Sequence, residues 1–211
     1  MREAIKIAEQ GGEAARSALD RCIAAGGLAV FPADTLYGLA CDPQNAAAID
    51  RINALKGRDD RKPSAVMFFS PLAMWELVAT LGARTRDALG ALLPGPVTVV
   101  AHNPERRYPL ACREDPERLG VRLVEGPLAG AASAVLQTSA NRSGEPAPNR
   151  FEDIDREILA AVDLAIDGGE LGGEASTVVD VSGIESGEGW AVLRDGALPR
   201  AELERKLADV G

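Results

Sequence analysis

This chain is poor in the side chains that most enzymes use for covalent or metal chemistry. Among 211 residues there is one histidine, there are three cysteines, and aromatic residues make up 4%. His102 is the sole imidazole, which excludes a His-rich metal site and makes a Ser-His-Asp triad depend on this one residue. It lies just past an apolar run, where a structural or solvent-exposed place is the simpler reading. Cys22, Cys41 and Cys112 are odd in number and far apart, with no CxxC spacing, so neither a disulfide framework nor a zinc site is indicated and buried thiols are expected. No run of about 18 apolar residues appears. The opening MREAIKIAEQGGEAAR mixes charged and apolar residues instead of placing an apolar core behind a basic stretch. A soluble, cytoplasmic protein without membrane contact is expected, with residues 1–211 forming one domain.

Positive charge is also in deficit: 23 Lys and Arg against 32 Asp and Glu give a net charge of -9. Broad binding of nucleic acid, which rests on neutralising many phosphates, is disfavoured, and the scarcity of aromatics removes platforms for stacking bases. Against this background the segment LKGRDDRKPSAVMFF, residues 55–69, concentrates Lys56, Arg58, Arg61 and Lys62. Gly57 and Pro63 punctuate it, placing the bases between a helix and a buried strand, where they converge on a phosphate or carboxylate. The alternative is a solvated turn on which Arg58, Arg61 and Lys62 pair with Asp59 and Asp60 while Lys56 complements the helix end.

Apolar spacing predicts a helix over residues 11–25, stopped by Gly26-Gly27, and a strand over 28–32. The stretch ADTLYGLACD reads as a loop. Asp42 then caps a helix with Pro43 at its first position, and Ile49, Ile52 and Leu55 line one face until Gly57 ends it. Short β-branched or apolar runs predict strands at 65–69, 97–101, 120–124, 135–138, 164–166, 177–181 and 191–193. Helices are expected from Ser70-Pro71 onward, over 85–93, over 151–162 and over 201–208, the last with a Glu202 to Lys206 pair. The alternation defines an α/β fold with a mixed sheet, and no internal repeat is visible.

Three further places carry polar groups suited to a ligand. Residues 138–144, TSANRSG, put hydroxyls and amides directly after a strand, where α/β sheets hold ligands, although the same residues suit an ordinary turn. Residues 168–173, GGELGG, form either an amide-lined cradle or a flexible connection, and they lack the Lys and following helix of a phosphate-binding Walker loop. Arg122 is flanked by Val121 and Leu123, which face the other side of the sheet, and Arg194 ends a strand in the same style. Either is a structural ion pair or a fixed charge for an anionic ligand. Pro94-Gly95-Pro96 reads as a rigid turn.

Taken in order, PADTLYGLACD, LKGR, LLPGPVT, GVRL, TSANRSG, ASTVVD and VLRDGAL resemble the YrdC-like family of L-threonylcarbamoyladenylate synthases, over residues 28–198. The most specific part is Lys-x-Arg at Lys56 and Arg58 paired with Ser-x-Asn at Ser139 and Asn141. The resemblance implies a twisted mixed sheet flanked by helices around a positively charged cavity. It also implies a nucleotidyltransferase that uses ATP, Mg2+, bicarbonate and L-threonine to make threonylcarbamoyl-AMP and pyrophosphate for tRNA modification. By motif, Lys56, Arg58, Ser139 and Asn141 are the catalytic set. ATP falls to Arg58, Lys62, Ser139, Asn141 and Arg194, and threonine to Thr35, Arg122 and Ser176. No metal ligand is implied. A tRNA threonylcarbamoyl transferase complex is the expected recipient of the product, and contact with tRNA or double-stranded RNA is an alternative role. Ala33, Lys62, Met67, Gln137 and Ala147 depart from common family residues, which also leaves open a paralogue acting on another amino acid or carbamoyl compound. The end soon after Arg194 resembles the short, single-domain form.

Overall fold

A computed structural model describes residues 4–57, 62–208 and 210. In chain order the elements are β1 (Ile5–Lys6), α1 (Ile7–Ala24), β2 (Ala29–Pro32), β3 (Tyr37–Cys41), α2 (Ala46–Lys56), β4 (Ala65–Phe68), α3 (Pro71–Val78), α4 (Ala83–Leu92) and β5 (Val97–His102). They continue with α5 (Pro109–Cys112), β6 (Arg118–Leu123), β7 (Val135–Ser139), a 3-10 turn (Phe151–Asp153), α6 (Arg156–Ala161), β8 (Leu164–Asp167), β9 (Thr177–Asp180), β10 (Ala191–Arg194) and α7 (Arg200–Leu207). The strands join in one mixed sheet of order β1-β8-β2-β3-β7-β4-β6-β5-β9-β10. No helix among the described residues is long and apolar enough to cross a membrane.

Two-residue alternation sends the side chains of each strand to opposite faces of the sheet, and those faces differ. One carries Leu39, Val66, Phe68, Leu136, Val121, Val99 and Val179, packed with residues of α2 through α7 in the larger apolar cluster. The opposite face is only half covered. At one end Phe31, Ala40, Met67 and Val135 pack against Ala15, Leu19 and Ile23 of α1. At the other end, register pairs Gln137 with Ala65 and Val100 with Gly120, Arg122 lies beside the covered Met67, and this uncovered region becomes the cavity described below.

Several sequence expectations need correction. Residues 37–41 are a strand, not a loop, because antiparallel partners on both sides supply the hydrogen bonds that the local sequence does not foretell. Asp42 does not cap α2; its carboxylate accepts from Gln44 N in a turn, and Asn45 Oδ1 caps the helix by accepting from Ala48 N. Gly57 ends α2 in the left-handed conformation, as expected. The helix over 151–162 is two pieces, interrupted at Ile154 and restarted by the Asp155 carboxylate, which accepts from Glu157 N. Lys206 does not pair with Glu202: its Nζ donates to Ala91 O, and Arg205 takes Glu202. The strand β1 and helix α5 carry no signal that the sequence reading detected. Ser70 caps α3 through Ala73 N as expected.

Cys41 and Cys112 are buried and Cys22 is half-buried, all as free thiols. His102 is exposed, with Nε2 3.9 Å from Glu117. Burial pushes the Cys41 thiol up to about 12, that of Cys112 to about 11 and the Tyr37 phenol to about 12. Raised acid pKa values mean that above roughly pH 9 the unfolded chain releases protons that the native one retains, so stability declines as pH rises. The midpoint of urea unfolding is expected to hold at neutral pH and to fall steadily from pH 9 to 11, and Cys41→Ala is expected to flatten that decline.

Candidate active site

Lys56 is the last residue of α2, so its side chain leaves the helix where Gly57 turns the backbone away. It is 4% exposed. Its Nζ donates to Ser139 O at 2.5 Å, Asn141 O at 2.7 Å and Asn141 Oδ1 at 3.2 Å. Asn141 Oδ1 also accepts from Ser139 Oγ, Asn141 Nδ2 donates to Glu145 O, and Ser143 N donates to Lys56 O. The polar turn after β7 is therefore built on a buried ammonium, with charge-assisted bonds fixing its backbone.

A cavity of about 500 Å³ opens on the uncovered sheet face, and its wall includes Thr35, Arg122, Ser139, Ser176 and Arg194. These five expected site residues come from five separate segments. Lys56 and Asn141 stand outside the wall and hold Ser139 from behind. Lys62 is exposed beside the wall residues Pro63 and Ser64. Arg58 lies outside the described residues, as does the 59–61 stretch of the basic loop. Met67 is fully buried in the cluster under α1, and Gln137 and Ala147 belong to the wall.

Arg122 is 4% exposed and forms an ion pair through Nη2 with Asp34 Oδ1, while Nη1 donates to Gln137 Oε1 at 3.4 Å. Arg194 Nη2 donates to Ser176 O at 2.7 Å and to Ser176 Oγ at 3.3 Å, and that hydroxyl lies 3.1 Å from Thr98 Oγ1. Burial first, and the nearby Arg122 charge second, lower the pKa of Arg194. Two guanidiniums that feel each other across a cavity suit an anion between them. The segment 196–198 straps this corner. Ala197 N donates to Ala175 O, and a Cβ on Gly196 would fall 2.2 Å from that same oxygen.

Sequence reasoning overlooked Asp34, Thr98, Arg118 and Leu193. Arg118 follows the same alternation as Arg122, with Gly120 between them, and its charge meets Asp115 at 2.6 Å and Asp180 at 2.9 Å. Leu193 reaches the wall because the register shifts between Val192 and Arg194, a bulge with no local signature. The GGELGG segment is tied down by Tyr37: its hydroxyl donates to Gly169 O at 2.7 Å and accepts from Gly168 N at 3.0 Å. Leu171 N and Gly173 N donate to Asn149 O and Thr35 O.

A family model described as "Telomere recombination", Sua5/YciO/YrdC, matches residues 21–196. The chain belongs to the Sua5/YciO/YrdC family. A protein named threonylcarbamoyl-AMP synthase from Chromohalobacter salexigens is 35% identical over 170 residues, covering 77% of this chain and 89% of that protein. One of the same name from Nitrosococcus oceani is 33% identical over 154 residues, covering 70% and 82%. The crystal structure of P. abyssi Sua5 complexed with L-threonine superposes with a TM-score of 0.80 at 26% identity, over 93% of this chain and 58% of that longer one.

Removing the buried ammonium takes a charged donor from three carbonyl-type acceptors, of which Asn141 Oδ1 keeps Ser139 Oγ. Lys56→Met is expected to cost about 3 kcal/mol of stability or to loosen residues 139–145. A urea melt, with hydrogen exchange at Ser143 N, checks this; unchanged values for both remove Lys56 from its structural role.

Proposed function

We propose that the chain is a threonylcarbamoyl-AMP synthase, a nucleotidyltransferase that joins L-threonine, bicarbonate and ATP into threonylcarbamoyl-AMP and releases pyrophosphate. The observation that carries this reading is the meeting of Thr35, Arg122, Ser139, Ser176 and Arg194 in one cavity. Its volume falls within the roughly 300–1,000 Å³ of small-molecule sites. The names of the relatives and the threonine complex of P. abyssi Sua5 support the substrate class.

The substrate supplies the nucleophile. The threonine amine adds to carbon dioxide derived from bicarbonate and loses a proton, giving a carbamate. A carbamate oxygen then attacks the α-phosphorus as pyrophosphate departs with the electron pair of the broken P–O bond. Such a reaction needs positioning and stabilised phosphate charge more than a protein nucleophile, which suits a chain so poor in histidine. Arg122 pairs with the threonine carboxylate, and Thr35 and Ser176 offer hydroxyls to the same ligand. Arg194 and Ser139, with Arg58, Lys62 and Asn141, serve the nucleotide, while Lys56 fixes the Ser139 turn. Among the described residues no cluster of acidic, His or Cys side chains forms a metal site. Magnesium belongs to this reading as the ion accompanying ATP, held mainly by phosphate oxygens. In this reading residues 1–211 work as one cytoplasmic unit and pass the adenylate to a tRNA threonylcarbamoyl transferase.

Gln137 favours one second reading, because it enters the wall against Arg122 and alters the amino-acid side of the cavity. A paralogue selecting another amino acid or carbamoyl compound is separated from the first reading by a panel of amino acids. With ATP, magnesium, labelled bicarbonate and threonine, the first reading expects threonine-dependent pyrophosphate and a labelled adenylate by mass spectrometry. Neither product, under conditions that support a known synthase, overturns it. Arg194→Ala is expected to weaken ATP binding roughly 10–100-fold, the range for a lost hydrogen bond to a charged group. Calorimetric titration reads this directly.

A further inference from the structure

Asp34 immediately precedes the wall residue Thr35, and its Oδ1 is committed to Arg122. Its other oxygen, Oδ2, is buried and meets no hydrogen-bond donor among the described residues. On the partner side, Arg122 Nε is also buried and meets no acceptor among the described residues. Native interiors retain few such atoms, and here the two belong to the two halves of one ion pair beside a ligand cavity. The pair thus leaves one donor and one acceptor unmatched, which is complementary to a molecule that carries both an anionic acceptor and a cationic donor. An α-amino acid has that pattern.

We propose that Asp34 recognises the α-ammonium of the amino-acid substrate, so that the site selects α-amino acids over carboxylates that lack the amine. This deepens the amino-acid reading of the cavity and rests on it. The charge balance gives the reason for selection. Asp34 and Arg122 neutralise one another, and a zwitterion enters without leaving either charge unmatched. A plain carboxylate sets a second anion against Asp34 on the same guanidinium and gains no compensating contact, so discrimination comes from repulsion as well as attraction. Asp34 thus competes with the ligand carboxylate for Arg122 and at the same time attracts the ammonium.

That dual role predicts opposite effects of a single substitution. The full chain is titrated with L-threonine and with 3-hydroxybutyrate, which is threonine without its amine, using ligand-observed NMR to reach weak binding. Asp34→Asn is expected to weaken threonine at least tenfold and to tighten 3-hydroxybutyrate, while Asp34→Glu restores the wild-type preference. A merely structural role for Asp34 misplaces Arg122 and weakens both ligands together. Threonine affinity that is unchanged in Asp34→Asn, or 3-hydroxybutyrate binding no tighter than to the wild type, overturns the proposal. Asp34→Ala serves the same comparison if the asparagine variant does not fold. Failure of the wild type to bind threonine at all is a different result, which overturns the amino-acid reading itself.

Discussion

A guanidinium placed in the middle of a sheet and withdrawn from water costs several kcal/mol unless its hydrogen bonds and charge are matched. Arg122 is in that position, on β6 between β4 and β5, and much of the site follows from the need to match it. Asp34 approaches from the loop between β2 and β3, and Gln137 from β7. The match is incomplete, because among the described residues Nε has no acceptor. A buried cation with one unmet donor beside a cavity suits an anion, which supplies the acceptor that the described residues do not.

The remaining cations are arranged around this one in two different ways. Lys56 is spent on structure: three acceptors from Ser139 and Asn141 surround its ammonium, so the charge fixes a backbone without entering the wall. Arg194 enters the wall, held by the Ser176 carbonyl and hydroxyl. The strap at Gly196 makes this possible because its backbone passes so close to Ala175 that no Cβ fits. Burial and Arg122 both act against the Arg194 charge. In the proposed reading a ligand phosphate offsets these effects by supplying a counter-charge where water is scarce.

Most strands were legible from the sequence because short β-branched runs between turn residues carry their own signal, as at Val97–His102 and Thr177–Asp180. Tyr37–Cys41 was not, since its glycine and alanine are poor strand formers and only pairing with β2 and β7 makes it one. The start of α2 was misplaced because Asp42 and Asn45 are both capable caps and only tertiary context chooses between them. Within the site, Arg122 was legible from alternation. Arg118 follows the same period and was missed only because the pattern was not extended two residues. Leu193 depends on a bulge, and Asp34 on a contact between residues 88 positions apart, neither of which local sequence encodes.

The acidity of the whole chain and the cations of its cavity act over different ranges. At physiological ionic strength a surface charge is felt over about 8 Å, so most of the net charge of -9 is screened from a ligand already within the cavity. Among the described residues the cations that line the cavity are Arg122 and Arg194, with Arg118 divided between Asp115 and Asp180. The acidic exterior instead acts on larger polyanions, whose many phosphates engage a wide surface. Low dielectric within a cavity strengthens each fixed charge while solvent weakens those outside, so the cations of the cavity and the net acidity of the chain act on ligands of different size.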